Sequence, residues 1–474
     1  MRSFILVALI LPGLGIVVDA AESQIPIIYS TDLFHPHADP DDHYDLACLF
    51  AISEFDIKGV VLDLGATQAK QCGRPALEQM MKITARRVPC AIGLSQRLRN
   101  RTDQALQEPE AFQAGVNLIL SVLRASTHKV VIFTTGSCRD VAAAFNREPD
   151  LLRQKVRAVY FNIGRGPNEV QEECNVGYDP EAYLRMFESG LPLYWCPCFG
   201  KAGYETLYTA DQKTVVGACT PWVQNYFVYC LSRSKEDPIR FLQTGPHPLP
   251  SGQRSMWCTA PMFHAAGRRI YERGPEDFLA LPPDVARKAG LAGREVAAFD
   301  FVPMRATIHV PEVQTKESLP EPPPNALGAV YCGRTEDRVG TGSPEPDGRP
   351  DCCVRLRGLP PAAKVKNIVL TGPKEARWEY RPSGRWWRLA YLREGSELRC
   401  FFQFWAPGKH QIEVICEDGT SRSAVFQVPE LEALGLRIEL DTSQPNGMVF
   451  RAVHPRYRQI MASCLKNLLA ELGR

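Results

Sequence analysis

Between residues 25 and 310 short apolar runs alternate with stretches in which apolar positions recur every three to four residues. The short runs read as buried strands and the longer period as amphipathic helices. Strands are predicted over 25–30, 57–62, 129–134, 158–163 and 191–196, with helices over 45–53, 76–86, 140–145 and 180–189. Asp179 before Pro180 adds an N-cap followed by proline at the first helical position. Such alternation predicts βαβ units and hence an α/β fold built on an open, mostly parallel sheet.

The helical period then disappears. The segment ESLPEPPPN over 317–325 holds four prolines in nine residues, which predicts a stiff, extended connector, and a linker is placed at 316–326. Strand-like runs follow at 353–356, 365–370, 386–391, 398–404, 410–416 and 423–428, separated by turns such as Pro407-Gly408 and Asp418-Gly419. About seven short strands in about 105 residues predict an immunoglobulin-like β-sandwich. The expected domains are therefore an α/β unit over 22–315, a β-sandwich over 327–430 and an extension over 431–474 that ends in a helix at about 455–472. An extended connector crossed by few contacts predicts that residues 22–315 fold on their own.

Composition sharpens this picture in three places. A chain of 474 residues is about three times the roughly 150 of one domain, in keeping with that division. The 55 basic and 53 acidic residues leave a net charge of +2, so no nucleic-acid partner is expected. The basic start at Met1-Arg2, the apolar run over 4–11 and the small-residue site Val18-Asp19-Ala20 read as a secretory signal over residues 1–20. No later run is long and apolar enough to span a bilayer, so the expected location is outside the cytoplasm, secreted or periplasmic. Sixteen cysteines then permit disulfides without specifying a pairing. Homo-oligomerisation stays open.

The densest chemistry follows the first predicted strand. Asp32, His35, His37, Asp39, Asp41, Asp42 and Asp45 fall in one loop and the turn after it. Ligands of an open parallel sheet bind beyond the carboxyl ends of its strands, where this loop belongs. Crowded carboxylates repel unless a cation joins them, and all-oxygen donors suit a hard ion such as Ca²⁺ or Mg²⁺. The alternative is a solvated acidic loop in which Asp42 or Asp45 caps a helix.

The stretch DPDDHYDLACLFAISEFDIKGVV resembles the N-terminal motif of nucleoside hydrolases, with Asp41 and Asp42 on its paired aspartates and Asp32 on its strand-end carboxylate. Thr134-Thr135-Gly136-Ser137-Cys138-Arg139-Asp140-Val141-Ala142 resembles the family's Gly-x-x-Thr-Asn-x-Ala turn, and Glu173-Cys174-Asn175 through Asp179-Pro180-Glu181-Ala182 resembles its Glu-x-Asn…Asp-Pro-Glu-Ala motif. The whole chain is similar to a divergent, exported branch of that family carrying an appended β domain. The resemblance implies a sheet of nucleoside hydrolase type and hydrolysis of an N-ribosyl or related glycosidic bond in a small nucleoside-like or sugar-like substrate. It further implies a Ca²⁺ held by Asp32, Asp42 and the Arg139 carbonyl, Asp41 or Asp39 as the base, and Glu173 and Asn175 on the sugar hydroxyls. For Glu173 and Asn175 the alternative is capping and turn formation before the Pro180 helix.

Two departures bear on activity. Gly65 is followed by Ala66 where the family has an asparagine, and residues 254–267 hold no carboxylate where it has a distal Asp ligand. His264, in that region, either approaches the substrate or sits on a core helix. His35, His37 and His43 could compensate, and imidazoles would shift preference toward a transition metal. A catalytically lapsed protein that keeps the pocket to bind a ligand or partner is the competing reading. In the second domain Trp378, Tyr380, Trp386, Trp387, Tyr391 and Trp405 read either as a carbohydrate-stacking platform or as sandwich core, and the acidic stretch 336–351 as a long surface loop.

Overall fold

The computed structural model describes residues 24–169, 171, 173–309, 314, 319–323, 327–336, 338–339, 351–360, 362–373, 377–379, 389–402, 408–429 and 437–474. The signal expected over 1–20 lies outside them, as do residues 380–388 and 405 and the side chain of Trp378, and with them most of the aromatic platform; the acidic stretch is described only in part.

Eight strands form the main sheet: β1 Ile25–Thr31, β2 Phe55–Leu62, β3 Cys90–Ile92, β4 Val130–Thr134, β5 Val156–Phe161, β6 Leu193–Trp195, β7 Phe299–Met304 and β8 Gly447–Ala452. Their spatial order is β7-β8-β6-β5-β4-β1-β2-β3. Every neighbouring pair is parallel except the edge pair of β7 with β8. The fully buried strands read as continuous apolar runs, as a sheet covered on both faces requires. Alternate residues go to opposite sides: Ile27, Tyr29, Val131 and Phe133 enter one core cluster, while Ile28, Val130 and Ile132 enter the other. The helices Asp41–Ala51, Arg74–Thr84, Pro221–Leu231 and Tyr457–Glu471 cover the first face. The helices Glu110–Ala125, Arg139–Arg147 and Pro180–Glu188 cover the second.

From β1 the chain steps outward to β2 and β3, then returns to β4 on the other side of β1 and continues outward. The point of reversal, beyond the carboxyl ends of β1 and β4, is where such sheets open a crevice. The acidic loop hangs there.

The β domain comprises two four-stranded antiparallel sheets. Val354, Leu356, Leu398 and Phe402 of one meet Ile368, Leu370, Ile412, Val414 and Phe426 of the other in a shared core, so the two form a β-sandwich. Within the connector, Leu319 is buried with Cys353 and Phe401, and Pro320 accepts a 3.2 Å hydrogen bond from Arg355.

The terminal extension is not an appendage. Strand β8 lies between β7 and β6 inside the main sheet, and the Tyr457–Glu471 helix buries Ile460, Met461, Leu465 and Leu469 in the first core cluster. The outgoing strand Ala306–His309 and the returning strand Arg437–Leu440 pair antiparallel. The sandwich is thus inserted into the α/β unit, which removes the basis for expecting residues 22–315 to fold alone. No two of the sixteen cysteines, all among the described residues, are joined in a disulfide.

Candidate active site

The helix expected from residue 45 begins one turn earlier, at Asp41. Its N-cap is Pro40, so Asp42 and Asp45 are not caps; both lie within the helix and both are buried. Asp41 and Asp42 occupy the first turn, where exposed backbone N–H groups and the helix dipole partly offset their charge. Spacing of one and three residues keeps Asp42 and Asp45 on one face and Asp41 beside it.

Burial is the first cause that raises the pKa of Asp32, Asp41 and Asp42 well above the usual carboxylate range, and the charge of a neighbouring carboxylate is the second. For Asp42 the strongest neighbouring charge is Asp32, followed by Asp45; for Asp41 it is Asp42 and then the exposed Asp39. Burial also pushes Asp45 up to about 7, against hydrogen bonding from Cys258. Asp45 Oδ1 is buried without a hydrogen-bond partner. Burial raises the pKa of the Tyr178 phenol first, and the charges of Asp32, Cys174, Asp42 and Glu173 add to it.

Two neighbours complete this wall. Asp63, just past β2, accepts 2.6 Å hydrogen bonds from the N–H groups of Leu64 and Ser137, and its charge is the largest acting on Asp32. A Cβ at Gly136 would stand 2.6 Å from Asp63 Oδ2 and 3.3 Å from Asp32 Cβ, so only glycine lets the turn after β4 approach them. Cys258 reaches the cluster from the start of the Thr259–Ala265 helix, and Cys198 lies close to Glu173 and Asp41. Both Asp63 and Cys258 were missed in the sequence. A carboxylate ending the run IKGVVLD was a readable signal for Asp63, whereas nothing in the spacing marked Cys258.

The remaining expected residues are distributed differently. The Glu173 carboxylate caps the helix Cys174–Tyr178, accepting from the N–H groups of Asn175 at 3.0 Å and Val176 at 3.3 Å, and also from Gly164 at 2.9 Å. Asn175 donates to the carbonyls of Thr135 at 3.2 Å and Asn162 at 3.4 Å, tying the Glu173 segment to the end of β4. Arg139 opens its helix with a buried guanidinium paired to Asp179 at 2.9 Å and donating to the carbonyls of Leu94 and Tyr178. Carbonyls in a helix point toward its C-terminus, so the Arg139 oxygen runs along the Arg139–Arg147 axis rather than out of its mouth.

His264 sits in the last turn of its helix. Its Nδ1 meets the Tyr160 hydroxyl at 2.7 Å and its half-buried ring packs on Tyr194 and Phe301. His35, His37 and His43 face the Pro221–Leu231 helix and the turn after it: His35 stacks on Tyr229, His37 Nε2 meets Leu231 O at 3.3 Å and His43 packs edge-on to Tyr226.

Residues 27–228 match the family described as inosine-uridine preferring nucleoside hydrolase. Among curated proteins, the chain is 28% identical over 187 residues to the pyrimidine-specific ribonucleoside hydrolase RihA of Salmonella paratyphi A, covering 36% of this chain and 58% of that protein. It is 29% identical over 188 residues to the enzyme of the same name from Enterobacter sp. strain 638, with the same coverage. The match thus spans little more than half of these relatives' length. Among solved structures, a plant nucleoside hydrolase aligns with a TM-score of 0.35 at 14% identity, covering 54% of this chain and 87% of that one. The inosine-uridine preferring nucleoside hydrolase of Bacillus anthracis aligns with a TM-score of 0.31 at 13% identity, covering 50% and 91%.

Proposed function

We propose that this chain, whose residues 27–228 match the nucleoside hydrolase family, is a divergent relative that hydrolyses the N-glycosidic bond of a ribonucleoside or a related N-glycoside. One observation carries this reading: the buried Asp41, Asp42 and Asp45 and the half-buried Asp32 gather beyond the switch point of the sheet.

The donor set fits the hard divalent cation that such hydrolases use. It is all oxygen, its charges repel one another, and one buried carboxylate oxygen lacks any partner. Asp32 and Asp42 would hold the ion, with Asp45 beside them. When bound, Ca²⁺ lowers the pKa of a water and offsets the carboxylate repulsion.

The chain's own residues account for the rest. Departure of the base leaves positive, oxocarbenium-like charge on the sugar, which the fixed carboxylates of this wall stabilise. Asp41 is the better-placed base of the two expected, because burial and the neighbouring Asp42 and Asp39 raise its proton affinity, whereas Asp39 is exposed. Water would pass its proton to Asp41 as its oxygen bonds to the anomeric carbon and the glycosidic electron pair leaves with the base. Glu173 and Asn175 position the sugar: three backbone N–H groups hold the Glu173 carboxylate still, and its unused lone pairs accept from sugar hydroxyls.

The same wall lacks an asparagine at Ala66 and a carboxylate anywhere in residues 254–267. Each missing contact should cost about 10²–10³ in rate. Base release from uridine, cytidine, inosine and adenosine with excess Ca²⁺, followed by chromatography, is therefore expected to be slow but measurable. Turnover at the level of an ordinary enzyme would contradict this assignment of the missing contacts. The bare stretch 254–267 also favours a second reading, a lapsed enzyme that retains its ligand, which binding without base release would support.

A further inference from the structure

On the far side of the acidic loop lies a second group of donors with no task in the chemistry above. His35, His43 and Cys230 place one ligand atom each within 4.8 Å of the others, and all three residues are buried. His43 is 0% exposed and neither of its ring nitrogens has a hydrogen-bond partner. His35 is 8% exposed; its Nε2 lies 2.6 Å from the Ser234 carbonyl, which fixes the proton on that nitrogen, while Nδ1 is buried and unpartnered. An imidazole whose outer N–H is held by a backbone carbonyl and whose inner lone pair faces other donors is how proteins prepare a metal ligand. His37 repeats the arrangement, with Nε2 on Leu231 O and a buried, unpartnered Nδ1, its ring centroid 6.1 Å from that of His43.

Buried polar atoms are satisfied in the great majority of native sites, so four unpartnered imidazole nitrogens, three of them on the two histidines grouped with the Cys230 thiol, call for an explanation. Water would satisfy some of them. The chemistry of the set points further, because two imidazoles and a thiol are donors for a borderline transition metal and not for Ca²⁺.

We propose that His35, His43 and Cys230 bind a zinc-like divalent ion, with His37 Nδ1 or a water in the fourth position. Tetrahedral zinc needs ligand atoms about 3.3–3.6 Å apart, so small side-chain rotations close the present arrangement. Binding displaces the Cys230 proton to solvent and forms a metal–thiolate bond. The ion would clip the loop that carries Asp32 and Asp39 to the Pro221–Leu231 helix, a structural role independent of any hydrolysis.

Cobalt titration of the full chain, stripped with chelator, tests this. One Co²⁺ per chain is expected, with intense visible bands of tetrahedral geometry and a near-ultraviolet thiolate-to-cobalt band, both erased by Zn²⁺. Cys230→Ser should lose the thiolate band, and His43→Ala should weaken binding at least about hundredfold. Asp42→Asn should keep the band, which separates this site from the acidic wall. Wild-type affinity and spectra in both Cys230→Ser and His43→Ala would overturn the proposal. Should those variants not fold, X-ray absorption of the zinc-loaded wild type decides: one sulfur at about 2.3 Å with nitrogens near 2.0 Å supports the site, and a shell of light atoms alone overturns it.

Discussion

A chain that stops before residue 447 is expected not to fold its α/β unit. Strand β8 is interior to the sheet, hydrogen-bonded to β7 on one side and β6 on the other, so its loss exposes two ladder edges at once. Val449, Phe450, Ile460, Met461, Leu465 and Leu469 are all fully buried. At about 1.5–3 kcal/mol each, their exposure removes about 9–18 kcal/mol, comparable with or above the whole net stability of a typical domain. Specific contacts go with them: the Tyr457 hydroxyl donates to Thr206 O at 2.8 Å, and the Ser463 hydroxyl accepts from Phe278 N–H at 2.9 Å. Thermal unfolding followed by circular dichroism should show a cooperative transition for the full chain and none for residues 24–446. A cooperative transition in the truncated chain would show that the main sheet closes without its returning strand.

The second large effect concerns Asp42, where activity and stability should move in opposite directions. Asp42→Asn keeps shape and burial but removes the charge that acts with Asp32 and Asp45. Base release with excess Ca²⁺ should fall by at least about 10²–10³. Without a divalent ion, the variant should melt at or above the wild-type temperature, by about 2–4 °C, because a buried carboxylate no longer repels its neighbours. Calcium should raise the wild-type midpoint and leave that of the variant unmoved. A variant that loses stability and activity together would mean that Asp42 serves packing rather than an ion.

The periodicity of the chain located β1, β2, β4, β5 and β6 to within a few residues, since strands buried on both faces show as unbroken apolar runs such as VVIFT, but it passed over the three-residue β3 and the helices Glu110–Ala125 and Pro221–Leu231. It also separated the second region, where Gly408–Cys416 and Ser421–Val428 alternate as sandwich strands do. The inserted topology was invisible. GMVFRA is a short run whose pairing partners β7 and β6 lie far back along the chain, and local pattern carries no record of a non-local partner.

The acidic loop was legible as chemistry because seven chemistry-bearing side chains crowd one segment, and strand-end position gave them a place. What faces what was not. Glu173 and Asn175 look alike as sugar contacts or as capping groups until their hydrogen bonds are drawn, and the structure gives both a backbone-holding role. His264 and the three loop histidines were ambiguous for the same reason: a sequence fixes their neighbours along the chain but not the face of the helix opposite, here Tyr160 for one and Cys230 for another.

The most direct test of the central claim is a crystal of the full chain soaked with Ca²⁺ and a slowly cleaved ribonucleoside. The expected result is one ion with carboxylate oxygens of both Asp32 and Asp42 at about 2.3–2.6 Å, and the sugar against Glu173. An ion bound elsewhere, or Asp32 and Asp42 left without a shared ion at saturating calcium, would contradict it.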